Sequence, residues 1–149
     1  MIQDFIAAWD TNKSALETFF STHTADNYSR YSSLVAILFE NVVNPYLQSG
    51  GKNVYDLEKI REIDDGEYQG SLLYVIPQKT YQPSCYEYVL TYVEYGSCPF
   101  NDELEGIVSL LEDHLPDDDS VSLLMTLSLH ILQHCKIPYS YEEEMGNKS

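Results

Sequence analysis

Four side chains of the types that bind metal ions occur within one stretch of the chain. They are the carboxylates of Asp65, Glu67 and Asp102 and the thiol of Cys98. Thiolate sulfur and carboxylate oxygen are both ligands of zinc, and four such ligands can complete a tetrahedral site. The stretch therefore offers a structural zinc site, provided that the chain folds so that its two ends meet.

The sequence between these residues predicts such a fold. Two runs rich in Val, Ile, Leu and Tyr, Glu67–Ile76 and Tyr86–Glu94, have the composition of β-strands. The polar segment between them has a proline at each end and predicts a turn, so the two strands form an antiparallel hairpin. If the hairpin folds near Tyr81, the numbers of paired residues sum to about 162. Glu67 then lies opposite Tyr95, at the open end of the hairpin.

The same side chains also have ordinary structural roles. Asp102 can cap the helix predicted after it, and Asp65 can form a turn with Gly66. Cys98 can pack under Tyr95. The residue types leave both the metal site and this structural interpretation open.

A pair of histidines offers a second metal site. His130 and His134 are four residues apart in a run with helical periodicity, which places them on one face of the predicted helix. The HExxH motif of zinc proteases is absent, and the rest of the helix is apolar. The alternative is one buried, hydrogen-bonded histidine and one surface histidine. His23 and His114 have no companion nearby in the sequence.

Motifs for catalysis are absent from the sequence. Gly96-Ser97-Cys98 lacks the G-x-S-x-G pattern of hydrolase nucleophiles. The chain also contains no P-loop, no dinucleotide-binding glycine motif and no EF-hand loop. We therefore predict no catalytic residue.

The charge of the chain bears on its partners. It carries 24 acidic and 8 basic side chains, a formal net charge of −16. This charge disfavours direct binding to nucleic acid or to an anionic membrane, and it favours a basic protein partner. The acids predicted to contact that partner are Asp64, before the hairpin, and the run Asp117, Asp118 and Asp119. A solvated acidic surface without a partner is the alternative.

The elements around the hairpin complete the predicted fold. Apolar periodicity predicts four helices, at Ile2–Phe20, Tyr28–Val43, Glu103–Leu115 and Ser120–Lys136. Asn12–Ser14 interrupts the first helix, so one kinked helix or two short ones are possible. Pro45 ends the second helix or lies just beyond its end, and residues 53–63 are ambiguous but suit one or two helical turns. We expect one α+β domain over residues 1–149, with a small antiparallel sheet built on the central hairpin and packed against about four helices. The acidic tail, about residues 139–149, is expected to be flexible.

The sequence also sets expectations for location and redox state. It contains no apolar run long enough for a membrane span, and its start does not resemble a signal peptide. We therefore expect a cytoplasmic protein. Its three cysteines, Cys85, Cys98 and Cys135, form no disulfide framework and are expected to be thiols, with Cys135 in the core.

Both ends of the hairpin stretch resemble the signatures of a group of bacteriophage and prophage proteins. Those proteins carry Tyr-Gln-Gly after an acidic turn and, further on, Tyr-Gly-Ser-Cys-Ser-Gly-Cys-Asp. Residues 68–70 match the first signature, and residues 95–98 with Asp102 match the second. Pro-Phe-Asn at 99–101 replaces the second cysteine, so either an acid completes a metal site at this position or the site is lost. Leu-His-x2-Gln at 129–133 matches a further, weaker motif.

The resemblance implies a phage-encoded accessory protein. Small acidic phage proteins are often inhibitors of host defence, and some block CRISPR effector nucleases. The implied function is therefore an anti-CRISPR type of inhibitor that binds a basic host nucleic-acid-binding protein, with a structural zinc ion at Cys98. Two other functions stay open. One is a metal-dependent hydrolase near Cys98 with Glu67 or Glu94 as its general base, and the other is an assembly factor in phage development.

Overall fold

Three antiparallel strands form a sheet in the middle of the chain, and helices precede and follow it. The computed structural model describes residues 2–65, 71–80, 88–94 and 103–137. The strands are β1 (Arg61–Asp65), β2 (Ser71–Pro77) and β3 (Tyr88–Glu94), in the spatial order β1-β2-β3. The α-helices are α1 (Ile2–Thr22), α2 (Tyr31–Leu38), α3 (Asn44–Ser49), α4 (Glu103–Leu111) and α5 (Asp118–Gln133). A π-helical segment, Phe39–Val43, joins α2 to α3 in one continuous helix. The predicted α+β fold, with a small antiparallel sheet and about four helices, is confirmed.

The hairpin of β2 and β3 has a different register from the predicted one. Ser71 lies opposite Glu94, whereas the sequence prediction places it opposite Thr91. The predicted register is therefore wrong by three residues. The error arises because a polar segment with a proline at each end does not identify the centre of the turn, on which the register depends. The predicted pair of Glu67 and Tyr95 lies outside the described residues.

One face of the sheet is buried against the helices. On β2 and β3, the buried side chains alternate as the two-residue period of a strand requires. Tyr74 lies opposite Thr91, and Ile76 lies opposite Val89, all on the buried face. The Thr91 hydroxyl donates a hydrogen bond to the Ile131 carbonyl of α5 at 2.7 Å, so this buried polar group has a partner.

Residues 53–63, where the sequence is ambiguous and suits one or two helical turns, form one short turn. It is a 3₁₀ turn, Leu57–Lys59, followed by the start of β1. The Asp56 side chain caps the 3₁₀ turn by accepting a hydrogen bond from the Glu58 backbone N–H at 3.2 Å. Arg61 then lies opposite Val75, which starts the ladder with β2. The sequence obscures this strand because charged residues fill it, as is common for a strand at a sheet edge.

The helix α1 continues through the predicted interruption. Asn12 does not break it, because its side-chain amide donates a hydrogen bond to the Val42 carbonyl of the π segment at 3.0 Å. This polar residue therefore contacts a second helix, and α1 is one helix instead of the two short ones that the sequence left possible.

Pro45 also fails to end its helix, contrary to the prediction. It follows the π segment inside the continuous helix, where its missing backbone N–H leaves one helical hydrogen bond unmade. Immediately before it, the Asn44 backbone N–H donates to the Phe39 carbonyl, a π-type bond that spans five residues. The wider turn lets the helix continue through the proline.

The last two helices differ from the predictions at their ends. The helix α4 ends at Leu111 instead of Leu115, because Glu112 adopts a left-handed backbone conformation with φ of 50°. The helix α5 begins two residues before the predicted Ser120. Asp117 caps it by accepting a hydrogen bond from the Ser120 backbone N–H at 2.8 Å.

The core joins α1, the π segment, α5 and the buried face of the sheet. At its centre three aromatic rings pack edge to face: Phe39 lies 5.8 Å from Phe5 and 5.4 Å from Tyr55, measured between ring centroids. Cys135 is buried as predicted, and burial raises the pKa of its thiol to about 12. Among the described helices, none has both the length and the hydropathy needed to cross a bilayer.

Asn44 connects α3 to the segment that leads into the sheet. Its amide donates a hydrogen bond to the Tyr55 carbonyl at 3.1 Å, and its side-chain oxygen accepts one from the Tyr55 backbone N–H at 2.9 Å. Asn44→Ala leaves both backbone groups without these partners, so we expect a loss of about 1–3 kcal/mol in the free energy of unfolding. Urea denaturation followed by circular dichroism measures this loss. Asn44→Asp keeps the acceptor but sets a carboxylate oxygen against the Tyr55 carbonyl, so it should also lose stability. A loss below about 0.5 kcal/mol in Asn44→Ala would contradict the account.

Candidate functional site

A groove of about 190 Å³ lies between β3 and the C-terminal half of α5. Its walls include Tyr92, Glu94, Leu127, His130, Ile131 and His134. The two histidines of the predicted pair therefore open into one cavity, together with a carboxylate from β3. Imidazole and carboxylate groups can bind metal ions or move protons, so the groove is the first candidate site within the described residues.

His134 is held by β3 from two directions. Its ring stacks on Tyr92, with ring centroids 4.4 Å apart and planes 6° from parallel. Its Nδ1 atom lies 3.2 Å from the Tyr92 carbonyl oxygen. The stacking and the hydrogen bond fix the position of this ring, which is half-buried. His130, one helical turn earlier, is exposed.

This arrangement matches the structural alternative for the pair in part: His130 is a surface histidine, and His134 is hydrogen-bonded but half-buried instead of buried. It does not exclude a metal, because each ring can still present a nitrogen to the groove. In the described ranges, no group of three or more His, Cys, Asp or Glu side chains is arranged to hold a metal ion. Among the described residues, a metal at this place would therefore have the two imidazoles as its protein ligands.

The predicted zinc site falls mostly on other parts of the chain. Glu67, Cys98 and Asp102 lie outside the described residues. Asp65 is the last residue of β1, and its backbone lies opposite Ser71. The metal site at the open end of the hairpin, and the hydrolase that would depend on it, therefore stay predictions.

The predicted acidic run lies at the connection between α4 and α5. Residues 110–119, which we call the acidic corner, contain five acids and no Lys or Arg. The turn is compact, since the His114 backbone N–H donates to the Leu111 carbonyl at 2.9 Å. Asp117, Asp118 and Asp119 are all exposed, so this part of the predicted surface is accessible to a partner.

The three aspartates have different roles in the helix. Hydrogen bonds from Ser120 lower the pKa of the Asp117 carboxyl, because they favour its charged form. Asp118 and Asp119 lie in the first turn of α5, where the positive end of the helix dipole also favours negative charge. The local structure therefore tolerates three adjacent carboxylates that would otherwise repel each other.

Leucines accompany the acids at the acidic corner. Leu110 is 83% exposed and Leu115 is 54% exposed. In the next turn of α5, Leu123 is 56% exposed. These leucines add exposed apolar area to the acidic surface.

Asp64, the other acid predicted to bind a partner, lies on β1 at the edge of the sheet. It is exposed, and its backbone lies opposite Leu72. Two residues earlier, Glu62 accepts a hydrogen bond of 2.6 Å from the Tyr74 hydroxyl. Burial and this bond raise the pKa of Tyr74 above its ordinary value. Asp64 and the acidic corner thus belong to different elements, β1 and the α4–α5 connection.

Ion pairs neutralise few of the acids. Between described residues, Lys52 pairs with Asp4 at 2.8 Å and Lys59 pairs with Asp56 at 3.9 Å. Neither pair includes a residue of the acidic corner. The corner therefore keeps a concentrated negative charge.

Sequence analysis missed two features of these surfaces. Tyr92 was assigned only to a strand, because its contact with His134 joins residues 42 positions apart. The apolar spacing of Leu104, Ile107 and Leu111 predicts a buried stripe along α4. Leu110 lies next to this stripe, and in the structure it faces solvent. Its signal in the sequence is its position one residue before Leu111, off the three-and-four spacing of the stripe.

Comparisons with known proteins found no match to any protein-family model, any curated protein or any solved structure. The resemblance to bacteriophage and prophage proteins therefore stays a prediction from residues 68–70 and 95–102.

Proposed function

We propose that the chain is a binding protein that inhibits a nucleic-acid enzyme by covering a basic surface of that enzyme. The first partner to test is a CRISPR effector nuclease, as the resemblance to phage proteins implies. Effector nucleases bind nucleic acid through positively charged channels. An acidic protein that occupies such a channel excludes the nucleic acid that normally binds there.

The acidic corner is the observation that carries this proposal. Its carboxylates are exposed, adjacent and without Lys or Arg in the same ten residues. Such a cluster raises the association rate with a basic partner by electrostatic steering. Leu110 and Leu115 add apolar surface that binding would remove from water, which favours association. Charge and apolar area together favour a protein partner over a simple cation.

Overall charge supports the same class of partner. A net charge of −16 repels the phosphates of nucleic acid, so direct binding to DNA or RNA is disfavoured. An inhibitor that acts on the protein part of a nucleic-acid enzyme needs no such binding. Its affinity should fall as salt rises, because salt screens the attraction between exposed charges.

Affinity capture tests the proposal. Immobilised chain is exposed to lysate of a bacterium that carries CRISPR effectors at about 50 mM NaCl, where the Debye length exceeds 10 Å. We expect a basic nucleic-acid enzyme to bind and to elute as salt is raised. Purified effector must then bind directly, and its cleavage of DNA must fall. Failure to retain any nucleic-acid enzyme at low salt would count against the proposal.

A structural zinc ion at the open end of the hairpin is a separate part of the proposal. It rests on Cys98, Asp102, Asp65 and Glu67, and on the resemblance. We expect elemental analysis of the tag-free protein to find about one zinc ion per chain. The Cys98→Ser variant should contain none. The same zinc content in Cys98→Ser would contradict this site. Asp26→Asn, a change at an exposed acid in another part of the chain, is the control.

A further inference from the structure

The groove between β3 and α5 has the geometry of a two-histidine metal site. The His134 backbone N–H donates to the His130 carbonyl at 3.1 Å, so α-helical spacing continues to the end of the helix. Two residues four apart in such a helix present their side chains to the same side. Both side chains line the groove of about 190 Å³. The spacing is the one by which helical histidine pairs hold zinc.

The hydrogen bond of His134 decides which of its nitrogens is available. The Tyr92 carbonyl oxygen can only accept a hydrogen bond, so Nδ1 of His134, 3.2 Å away, carries the proton. In the neutral imidazole Nε2 then has a free lone pair. Histidines that bind metals typically donate their other ring N–H to a carbonyl or carboxylate in this way. The Tyr92 backbone therefore supplies the supporting contact that a metal ligand needs.

The ring of Tyr92 limits the motion of the same imidazole. The two rings stack with centroids 4.4 Å apart. A ligand whose orientation is already fixed loses less conformational freedom when the metal binds. Exposed His130 can adjust its side chain to the ion, so the pair combines one fixed and one adaptable ligand.

We propose that His130 and His134 bind one divalent transition-metal ion in this groove, with water at the remaining coordination positions. Imidazole ligands favour Cu²⁺, Ni²⁺ and Zn²⁺ over Mg²⁺ and Ca²⁺, which prefer oxygen. Glu94 gives the groove a negative charge that favours a cation over an anion. This site is distinct from the predicted zinc site at Cys98 and does not depend on the proposed function.

Other side chains that can bind metal ions must not contribute to the measured binding. The Cys135 thiol is buried, and its pKa is raised to about 12, so it stays protonated near neutral pH and does not compete for the metal. Cys85 and Cys98 are replaced by serine in every protein used, and the circular dichroism spectrum of this parent is first matched to that of the unchanged chain, because the zinc proposed at Cys98 is absent from it. His114, which is exposed in the connection after α4, provides a matched control histidine.

Isothermal titration of the tag-free, EDTA-treated and desalted protein with NiCl₂ at pH 7.5 tests the proposal. We expect one Ni²⁺ per chain, at least tenfold weaker binding in His130→Ala and in His134→Ala, and unchanged binding in His114→Ala. MgCl₂ should give no heat of binding. His130 is exposed, so His130→Ala should fold normally, and a circular dichroism spectrum checks this. No Ni²⁺ binding by the parent protein, or binding by His130→Ala equal to that by His114→Ala, would overturn the proposal.

Discussion

Phe39→Ala is expected to lower the free energy of unfolding by about 3–5 kcal/mol, the range found when a buried phenylalanine is truncated. Phe39 has 0% exposure and lies at the turn where the π segment begins. Its ring contacts Phe5 of α1 and Tyr55, which precedes β1. Truncation therefore leaves a cavity between three parts of the fold and removes two edge-to-face aromatic contacts.

Thermal and urea denaturation measure this effect. In a chain of this size we expect the melting temperature to fall by roughly 10 °C. Ile6→Ala is the matched control, because Ile6 lies next to Phe5 on α1 but is 61% exposed. The control should change stability by no more than about 0.5 kcal/mol. A loss in Phe39→Ala no larger than that in Ile6→Ala would show that the aromatic cluster does not hold the core together.

Removing charge from the acidic corner is expected to weaken binding to a basic partner about tenfold, or about 1.4 kcal/mol. The variant is Asp113→Asn, Asp118→Asn and Asp119→Asn, all at exposed positions. Asp117 is left unchanged because it caps α5. The loss should shrink as salt rises from about 50 to 200 mM, because screening weakens the attraction in the parent protein.

A second triple variant separates the corner from the total charge. Asp10→Asn, Glu17→Gln and Glu40→Gln remove the same three negative charges from exposed positions on α1 and the π segment. If the acidic corner is the interface, this control should weaken binding by less than about threefold. Equal losses in the two variants would mean that net charge acts without a localised site. Melting curves of both variants check that folding is intact.

The sequence predicted the fold class because its strongest patterns are local. Two runs rich in Val, Ile, Leu and Tyr and a proline-bounded polar segment identify the hairpin, and three-and-four spacing identifies the helices. The sequence does not indicate the strand β1, because four of the five residues of Arg61–Asp65 are charged. Charged residues are tolerated there because the strand lies at the edge of the sheet. This strand is recognised by its pairing with β2 in the structure, and that pairing is not visible in the residues of β1 alone.

Tertiary contacts also overrode two local signals. Asn12 suggests a helix break, but the Val42 carbonyl accepts its side-chain hydrogen bond. Pro45 suggests a helix end, but the π-type bond from Asn44 to Phe39 allows the helix to continue. At Asn12 a distant carbonyl satisfies a polar side chain, and at Pro45 a wider turn replaces the regular helical bonds.

The candidate sites were predictable to different degrees. The spacing of His130 and His134 is visible in the sequence, whereas the support that Tyr92 gives to His134 depends on the packing of β3 against α5. The acidic run at Asp117–Asp119 is equally visible, but the exposure of Leu110 beside it depends on how α4 is oriented. Residue types therefore indicated the chemistry, and the contacts between elements decided which groups share a surface.

Titration of a guide-loaded CRISPR effector nuclease with the purified chain tests the central claim most directly. The effector is the one captured at low salt, and cleavage of its target DNA is measured after mixing. We predict that cleavage falls linearly to zero at one chain per effector and that the inhibition does not depend on incubation time. The variant with Asp113→Asn, Asp118→Asn and Asp119→Asn should inhibit less at the same concentration. Inhibition by far less than one chain per effector would indicate an enzyme that turns over. No binding and no inhibition at low salt would contradict the proposed function.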